Sequence, residues 1–203
     1  MELGGLPMAP CPSRSGAREG NREMMGNSQT RLIVIRGNSG SGKSALAAAI
    51  RSSLPRGVAI IGQDVLRRNI LHVPDTKPSM AADYMEISAH FALDRRLSVI
   101  VEGILQNDIY GDMLRRLISD HQGITRCYRY KIPFQETLKR HNTKPNAGDF
   151  GESEMRQWWR EDDGLRGVDE TLIGPDQSLA DTTIQIIADC GWEPLPLNTA
   201  SKR

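Results

Sequence analysis

The 203-residue sequence lacks most of the features that would place it in a specialised class. Its three cysteines, Cys11, Cys127 and Cys190, form no CxxC pair and are odd in number, which argues against a disulfide scaffold and suits a reducing, cytoplasmic setting. Its four histidines, His72, His90, His121 and His141, lie far apart, without the spacing that a structural zinc site requires. No apolar run approaches the roughly 18 residues of a membrane span, so no membrane partner is expected. An excess charge of either sign is missing too. With 26 Lys and Arg against 25 Asp and Glu the net charge is +1, so no global field gathers nucleic acid or an anionic membrane. Any anionic ligand must be held by local positive charge.

What is present is ordinary for a globular chain: 38% hydrophobic and 25% charged residues, in a length that accommodates one domain with a full core. Residues 1–30 are rich in Gly, Pro, Ser and Arg and lack the uninterrupted apolar core of a signal peptide. They read as a disordered tail, or as an over-extended start with initiation near Met24 or Met25. The expected organisation is a tail over 1–30, one domain over 31–195 and a short tail over 196–203.

Within that domain, apolar runs alternate with helical patterns, the signature of a parallel sheet flanked by helices. Strands are predicted at Leu32 to Ile35, Val58 to Ile61, Val99 to Val101, Arg126 to Ile132, and Leu172 with Ile173. The third is apolar on both faces, as a central parallel strand should be. The fourth alternates Tyr128, Tyr130 and Ile132 with Cys127, Arg129 and Lys131, so one of its faces is expected to be less buried. Helices are predicted after the first strand, with Leu46, Ile50 and Leu54 on one side and Pro55 as the stop; from a Ser79 cap through Leu93; over Asp112 to Ile118; from Pro133 through Leu138; and from a Ser178 cap onward. A polar stretch over 142–164 interrupts the pattern.

Residues 37–44 read GNSGSGKS and match GxxxxGK[ST]. Glycines allow backbone N–H groups to turn inward around an anion where a side chain would clash. Those donors meet the positive end of the following helix. Gly37, Asn38, Ser39, Gly40, Ser41 and Gly42 thus form a candidate phosphate cradle, with Lys43 charging the β- and γ-phosphates and Ser44 offering its hydroxyl to Mg²⁺. By chance the pattern arises in about one chain in a hundred of this length at ordinary residue frequencies. A β-branched run before it and an Ala-rich helix after it supply the context that it needs.

Binding ATP does not make a kinase; phosphoryl transfer also needs an acceptor oxygen and, usually, a carboxylate to take its proton. Asp64, in GQDVLRR directly after the second strand, stands at the strand end where ligands sit in a parallel sheet. Its alternative job is a helix N-cap. Arg67 shares its helical face and can hold an anionic acceptor group, orient Asp64, or be a solvated surface arginine. Arg68 points elsewhere and reads as structural. Glu102, ending the third strand in VIVEG, is positioned beside the phosphate loop, where it reaches Mg²⁺ through water or contacts the acceptor; a buried carboxylate without a partner is costly. Asn107, Asp108 and Tyr110 can line an acceptor pocket or be loop and cap residues. In the polar stretch, a mobile lid over about 140–166 would exclude water and bring a cation to the migrating group. Arg140 and Lys144 are the favoured phosphate contacts, Arg156 less so, and Trp158 and Trp159 are expected to anchor the lid.

These segments, GNSGSGKS, GQDVLRRNIL, VIVEGI and KIPFQETLKRHNTK, resemble the P-loop kinases that include chloramphenicol phosphotransferase, zeta toxins and the kinase domain of polynucleotide kinases. The resemblance runs from about Arg31 to about Cys190. It implies an α/β three-layer P-loop NTPase fold with a five-stranded parallel sheet and a short helical lid, with Asp64 as the acceptor-activating aspartate and Arg67 as an acceptor-phosphate contact. Glu102 matches the acid after the third strand, Arg140 falls in the lid, and Gly174 to Gln177 match the loop near the adenine. The expected activity is transfer of the γ-phosphoryl group of ATP, with Mg²⁺, to a hydroxyl of a small molecule of the antibiotic, sugar or nucleoside class. The alternatives are a zeta-type nucleotide-sugar kinase, a 5′-hydroxyl polynucleotide kinase, which the absence of a basic stripe argues against, and a non-kinase NTP-binding regulator. The acceptor itself is not legible from fold analogy.

Overall fold

A computed structural model of the chain describes residues 24–143, 148 and 151–193. Five strands, β1 (Arg31–Arg36), β2 (Val58–Gly62), β3 (Ser98–Gly103), β4 (Ile124–Tyr130) and β5 (Thr171–Ile173), form one sheet in the order β2-β3-β1-β4-β5, and every pairing is parallel. The β-branched run of β1 falls at the centre, where period-two alternation sends its side chains to two different cores. Leu32 and Val34 face a cluster with α2 (Met80–Asp94) and α3 (Asn107–Asp120). Ile33 and Ile35 face one with α1 (Lys43–Ser52) and α6 (Leu179–Asp189). The result is the expected three-layer α/β fold. Ser79 and Ser178 cap α2 and α6, accepting the amides of Ala82 and Asp181. Among the described residues no helix is long and apolar enough to cross a membrane.

Two expectations need correction, and one about β4 holds. The predicted tail over 1–30 overlaps the fold: Met25 and Thr30 are each 1% exposed, and Met25 forms a parallel bridge with His121. The His121 ring is fixed between the hydroxyls of Thr30, 2.9 Å from Nε2, and Thr125, 2.8 Å from Nδ1. The ties of Met25 and Thr30 to His121 join residues 91 or more positions apart in sequence and are made by a segment whose composition alone reads as a tail. β4 keeps the predicted asymmetry: Tyr128 and Tyr130, with Ile132 just beyond, are buried in one core, while on the other face Cys127 is buried, Arg129 is partly exposed and Lys131 is exposed. Arg129 is tolerated there because Asp162 (3.0 Å) and Glu170 (3.2 Å) neutralise it. The second correction is α3, which starts at Asn107, five residues before the predicted Asp112.

The lid region comprises α4 (Phe134–Asn142) and α5 (Glu152–Trp158), which pack on one another. Trp159 meets the Phe134 ring edge-on at 5.2 Å, and the Arg156 guanidinium lies 4.3 Å over that ring. Trp159 therefore does anchor the lid helix, as expected.

Candidate active site

The phosphate loop follows β1 at the carboxyl end of the sheet, and its shape depends on two glycines. Gly40 adopts φ +79°, and a β-carbon there would lie 2.4 Å from the Thr137 carbonyl oxygen. Gly37 has φ +145°, and a β-carbon would meet that of Tyr130 at 2.8 Å. Neither position admits a side chain. Gly42 precedes α1 with no side-chain cap and no acidic residue in the first turn, so the first amides of the helix remain available to an anion. Lys43, 8% exposed, donates from Nζ to the Asn38 carbonyl at 2.8 Å and lies 3.4 Å from Ser41 Oγ, folded over the loop that it would charge. The resulting hollow of about 150 Å³ is lined by Ser39, Gly40, Gly42, Lys43, Ser44, Asp64 and Glu102.

Glu102 comes to this hollow because β3 lies beside β1. Its carboxylate accepts the Ser44 hydroxyl at 3.0 Å. A hydroxyl and a carboxylate in contact at the edge of a phosphate cradle are suitable oxygens for Mg²⁺, which takes one or two protein oxygens alongside phosphate and water. No cluster of three or more His, Cys, Asp or Glu able to hold a metal ion occurs among the described residues.

Asp64 starts the short π-helical segment Val65–Leu71 that follows β2. It makes no side-chain capping hydrogen bond, so the alternative task of helix cap is not performed. Its side chain is 66% exposed and lies 3.2 Å from Arg68 Nε and 3.4 Å from Arg67 Nη2. It lines both the phosphate hollow and a larger cleft of about 930 Å³.

That cleft is walled by 64–75 on one side, by Ile104 and Gln106 at its floor, and by Glu154, Gln157, Trp158 and Arg160 of the lid on the other. Arg67 is largely buried yet loosely held. Its contacts to Val73 O (3.4 Å), Asp64 (3.4 Å) and Asp75 (3.9 Å) are all long, and its buried Nε makes no hydrogen bond. Arg68, read as structural from the sequence, lines the same cleft. A further residue without any local signal is Asp75. It accepts from Tyr110 Oη at 2.5 Å and from Gln63 Nε2 at 2.8 Å, and Gln63 Oε1 in turn takes the Leu105 amide at 2.9 Å.

Tyr110 differs from expectation. It is fully buried within α3, and desolvation together with the hydrogen bond to Asp75 pushes its phenol well above the ordinary tyrosine range. It supports Asp75 from behind and does not line the acceptor space. Arg140 differs as well. Its guanidinium donates to Glu136 (2.9 Å), the Ser41 carbonyl (3.2 Å) and the Pro175 carbonyl (3.0 Å). It thus braces the phosphate loop against the 174–177 loop instead of entering the hollow, because α4 carries it along the outside of the loop. Lys144 lies outside the described residues. Another lid residue reaches the site: the Asn38 side chain exchanges two hydrogen bonds with the Arg160 backbone, 2.7 Å to its carbonyl and 3.0 Å from its amide. Arg36, ending β1, is 1% exposed and binds Asp163 (2.9 Å), Glu170 (2.8 Å) and the Leu105 carbonyl (3.1 and 2.8 Å), tying the far end of the lid to the sheet.

The model of the zeta toxin family matches residues 17–121, slightly more than half of the chain. The chain belongs to the zeta toxin family, within the group of P-loop kinases. Solved structures agree on the fold. The APS kinase of Mycobacterium tuberculosis in complex with AMPPNP and APS superposes with a TM-score of 0.58 at 19% identity, over 80% of this chain and 98% of that one. A gluconokinase from Sinorhizobium meliloti gives 0.55 at 20%, over 81% and 94%. The tunicamycin resistance protein of Deinococcus radiodurans gives 0.57 at 14%, over 82% and 99%. At these identities the likeness establishes the architecture. No curated protein matches the chain.

Proposed function

We propose that this kinase moves the γ-phosphoryl group of ATP onto a hydroxyl of a small molecule held in the 930 Å³ cleft, with Asp64 as the base. The observation that carries the reading is the position of Asp64, whose carboxylate borders the phosphate hollow and the cleft at once. An acceptor hydroxyl between them faces a proton acceptor on one side and the terminal phosphate on the other. As its oxygen bonds to the γ-phosphorus, its proton passes to Asp64, and the bond to the β–γ bridging oxygen breaks to release ADP. Lys43 and the first amides of α1 take the charge that accumulates on the phosphate oxygens. Ser44 and Glu102 are the residues that would hold Mg²⁺, which supplies charge neutralisation of the triphosphate when bound. The nucleoside lies towards 174–177, which Arg140 connects to the loop. The lid, held by the Asn38–Arg160 contact, keeps water from competing.

A second reading, transfer to a nucleotide sugar, is favoured by one observation: Arg67, Arg68 and Arg160 all face the cleft, as anchors for a diphosphate would. One experiment separates the two. The protein is incubated with γ-labelled ATP·Mg²⁺ and parallel panels of antibiotics, free sugars, nucleosides, UDP-sugars and 5′-hydroxyl oligonucleotides. Label in an uncharged acceptor is the expected result; label confined to UDP-sugars moves the assignment to the second reading. Label in no panel, with ATP nevertheless bound, removes the kinase mechanism built on Asp64.

A further inference from the structure

The solvent side of α2 is apolar along its length. Met80, Tyr84, Ile87 and Phe91 are 50%, 39%, 64% and 59% exposed. Their alternating spacings of four, three and four residues set them in a single stripe, the seam pattern of paired helices. The opposite side of the same helix already holds Ala82, Met85, Ala89 and Leu93 in the core. A helix that is apolar on both sides is one built to be covered on both. Single exposed apolar residues are ordinary; a contiguous run of four large ones is not.

We propose that this stripe is the contact surface of a homodimer in which α2 of two copies pair antiparallel about a two-fold axis. The sequence of the stripe is self-complementary under that operation. Reversing the helix about the point midway between Met85 and Glu86 exchanges Met80 with Phe91 and Tyr84 with Ile87, so each member falls opposite another, as an isologous interface requires. The polar edge obeys the same operation. Asp83 and His90 lie seven residues apart on one edge of the stripe, and antiparallel pairing turns that edge against itself, which brings the Asp83 carboxylate of one copy within a turn of the His90 imidazole of the other. A parallel pair would instead turn Asp83 towards Ser88 on the partner's other edge and leave it far from His90. The Arg95 guanidinium, 4.5 Å over the Phe91 ring, closes the end of the stripe with a charged rim. Four side chains bury less than the roughly 800 Å² per partner of tight complexes. The dimer therefore belongs to the weak class.

The test is sedimentation velocity on the full chain over about 1–200 µM, the range in which small interfaces associate. The weight-average mass should rise towards that of a dimer, and Ile87→Glu should remain monomeric throughout with an unchanged circular-dichroism melt. A wild-type protein that stays monomeric across the range overturns the proposal, as does an Ile87→Glu protein that still dimerises. The register has its own check. Asp83→Arg and His90→Asp should each weaken association several-fold, and the two together should restore it by setting an arginine against an aspartate across the same edge. A double variant no better than either single one rules out the antiparallel arrangement.

Discussion

In the phosphate hollow six of the ten lining residues come from one short run of chain, residues 39–45, whose backbone positions follow from two glycines and the start of a helix. In the neighbouring cleft the walls come from three segments far apart in sequence, 64–75, 104–106 and 154–160. The two share Asp64 and Ile104 and differ in everything else. A triphosphate presents the same geometry to every kinase, so a locally encoded loop suffices to hold it. An acceptor varies between enzymes, and a pocket assembled from distant segments can change one wall without disturbing the others.

The sharpest way to break this comparison is Lys43→Ala. If the hollow is common to all turnover, this variant loses transfer to every acceptor alike, by about a thousandfold or more in kcat, since it removes charge where charge develops. A loss confined to one acceptor would mean that the two regions are not separable. Asp64→Asn should cost about 10²–10⁴-fold in kcat, the range of a general base, while calorimetry shows ATP·Mg²⁺ affinity within about twofold of the parent. Turnover unchanged in that variant removes Asp64 from the chemistry. Trp158→Ala, in the lid wall of the cleft, should raise the KM for the acceptor about tenfold and leave that for ATP in place; a rise in both would show that the lid contributes to the nucleotide side as well.

The smallest effect belongs to the opposite end of the sheet and serves as the control. Burial, with a lesser contribution from Arg31, holds the His121 imidazole at a pKa of about 4, against an ordinary 6.5. Between these values the unfolded chain takes up a proton that the native ring refuses. Stability is therefore full above pH 6.5, falls as the pH drops towards about 4, and levels off below. Urea unfolding at several pH values should show this slope, and His121→Asn should flatten it without altering kcat at neutral pH. An equally steep slope in the variant would assign the acid sensitivity to other groups.

Legibility divided along the same line. The phosphate loop, its glycines, Lys43 and Ser44 could be read because each requirement is met within eight residues. The placement of Glu102 beside that loop could be read from its position at the end of the third strand, whereas its contact with Ser44 appears only because β3 lies beside β1. Asp75 could not be read. It lies in an unpatterned loop, and its hydrogen bonds come from Gln63 and Tyr110, 12 and 35 residues away. Tyr110 is hidden for the same reason: the sequence places it in the segment before a helix over Asp112 to Ile118, and only the packing of α3 on the sheet buries it. Arg140 offered the right charge in the right segment, but its direction was set by where α4 crosses the loop. Arg36 ends a β-branched run without any sign that Asp163 and Glu170, more than a hundred residues on, will neutralise it.

Taken alone, the sequence determined the fold class, the phosphate-binding end of the sheet, and the candidate base, because periodicity, glycine placement and helix capping act over a few residues and leave a local trace. The tertiary structure alone decided which arginines line the large cleft, which polar residues are withdrawn into the core, and that residues 24–30 belong to the domain. Those outcomes depend on long-range packing and on the neutralisation of buried charge. Such interactions are specified by partners far along the chain, so no short window of sequence contains both sides of them.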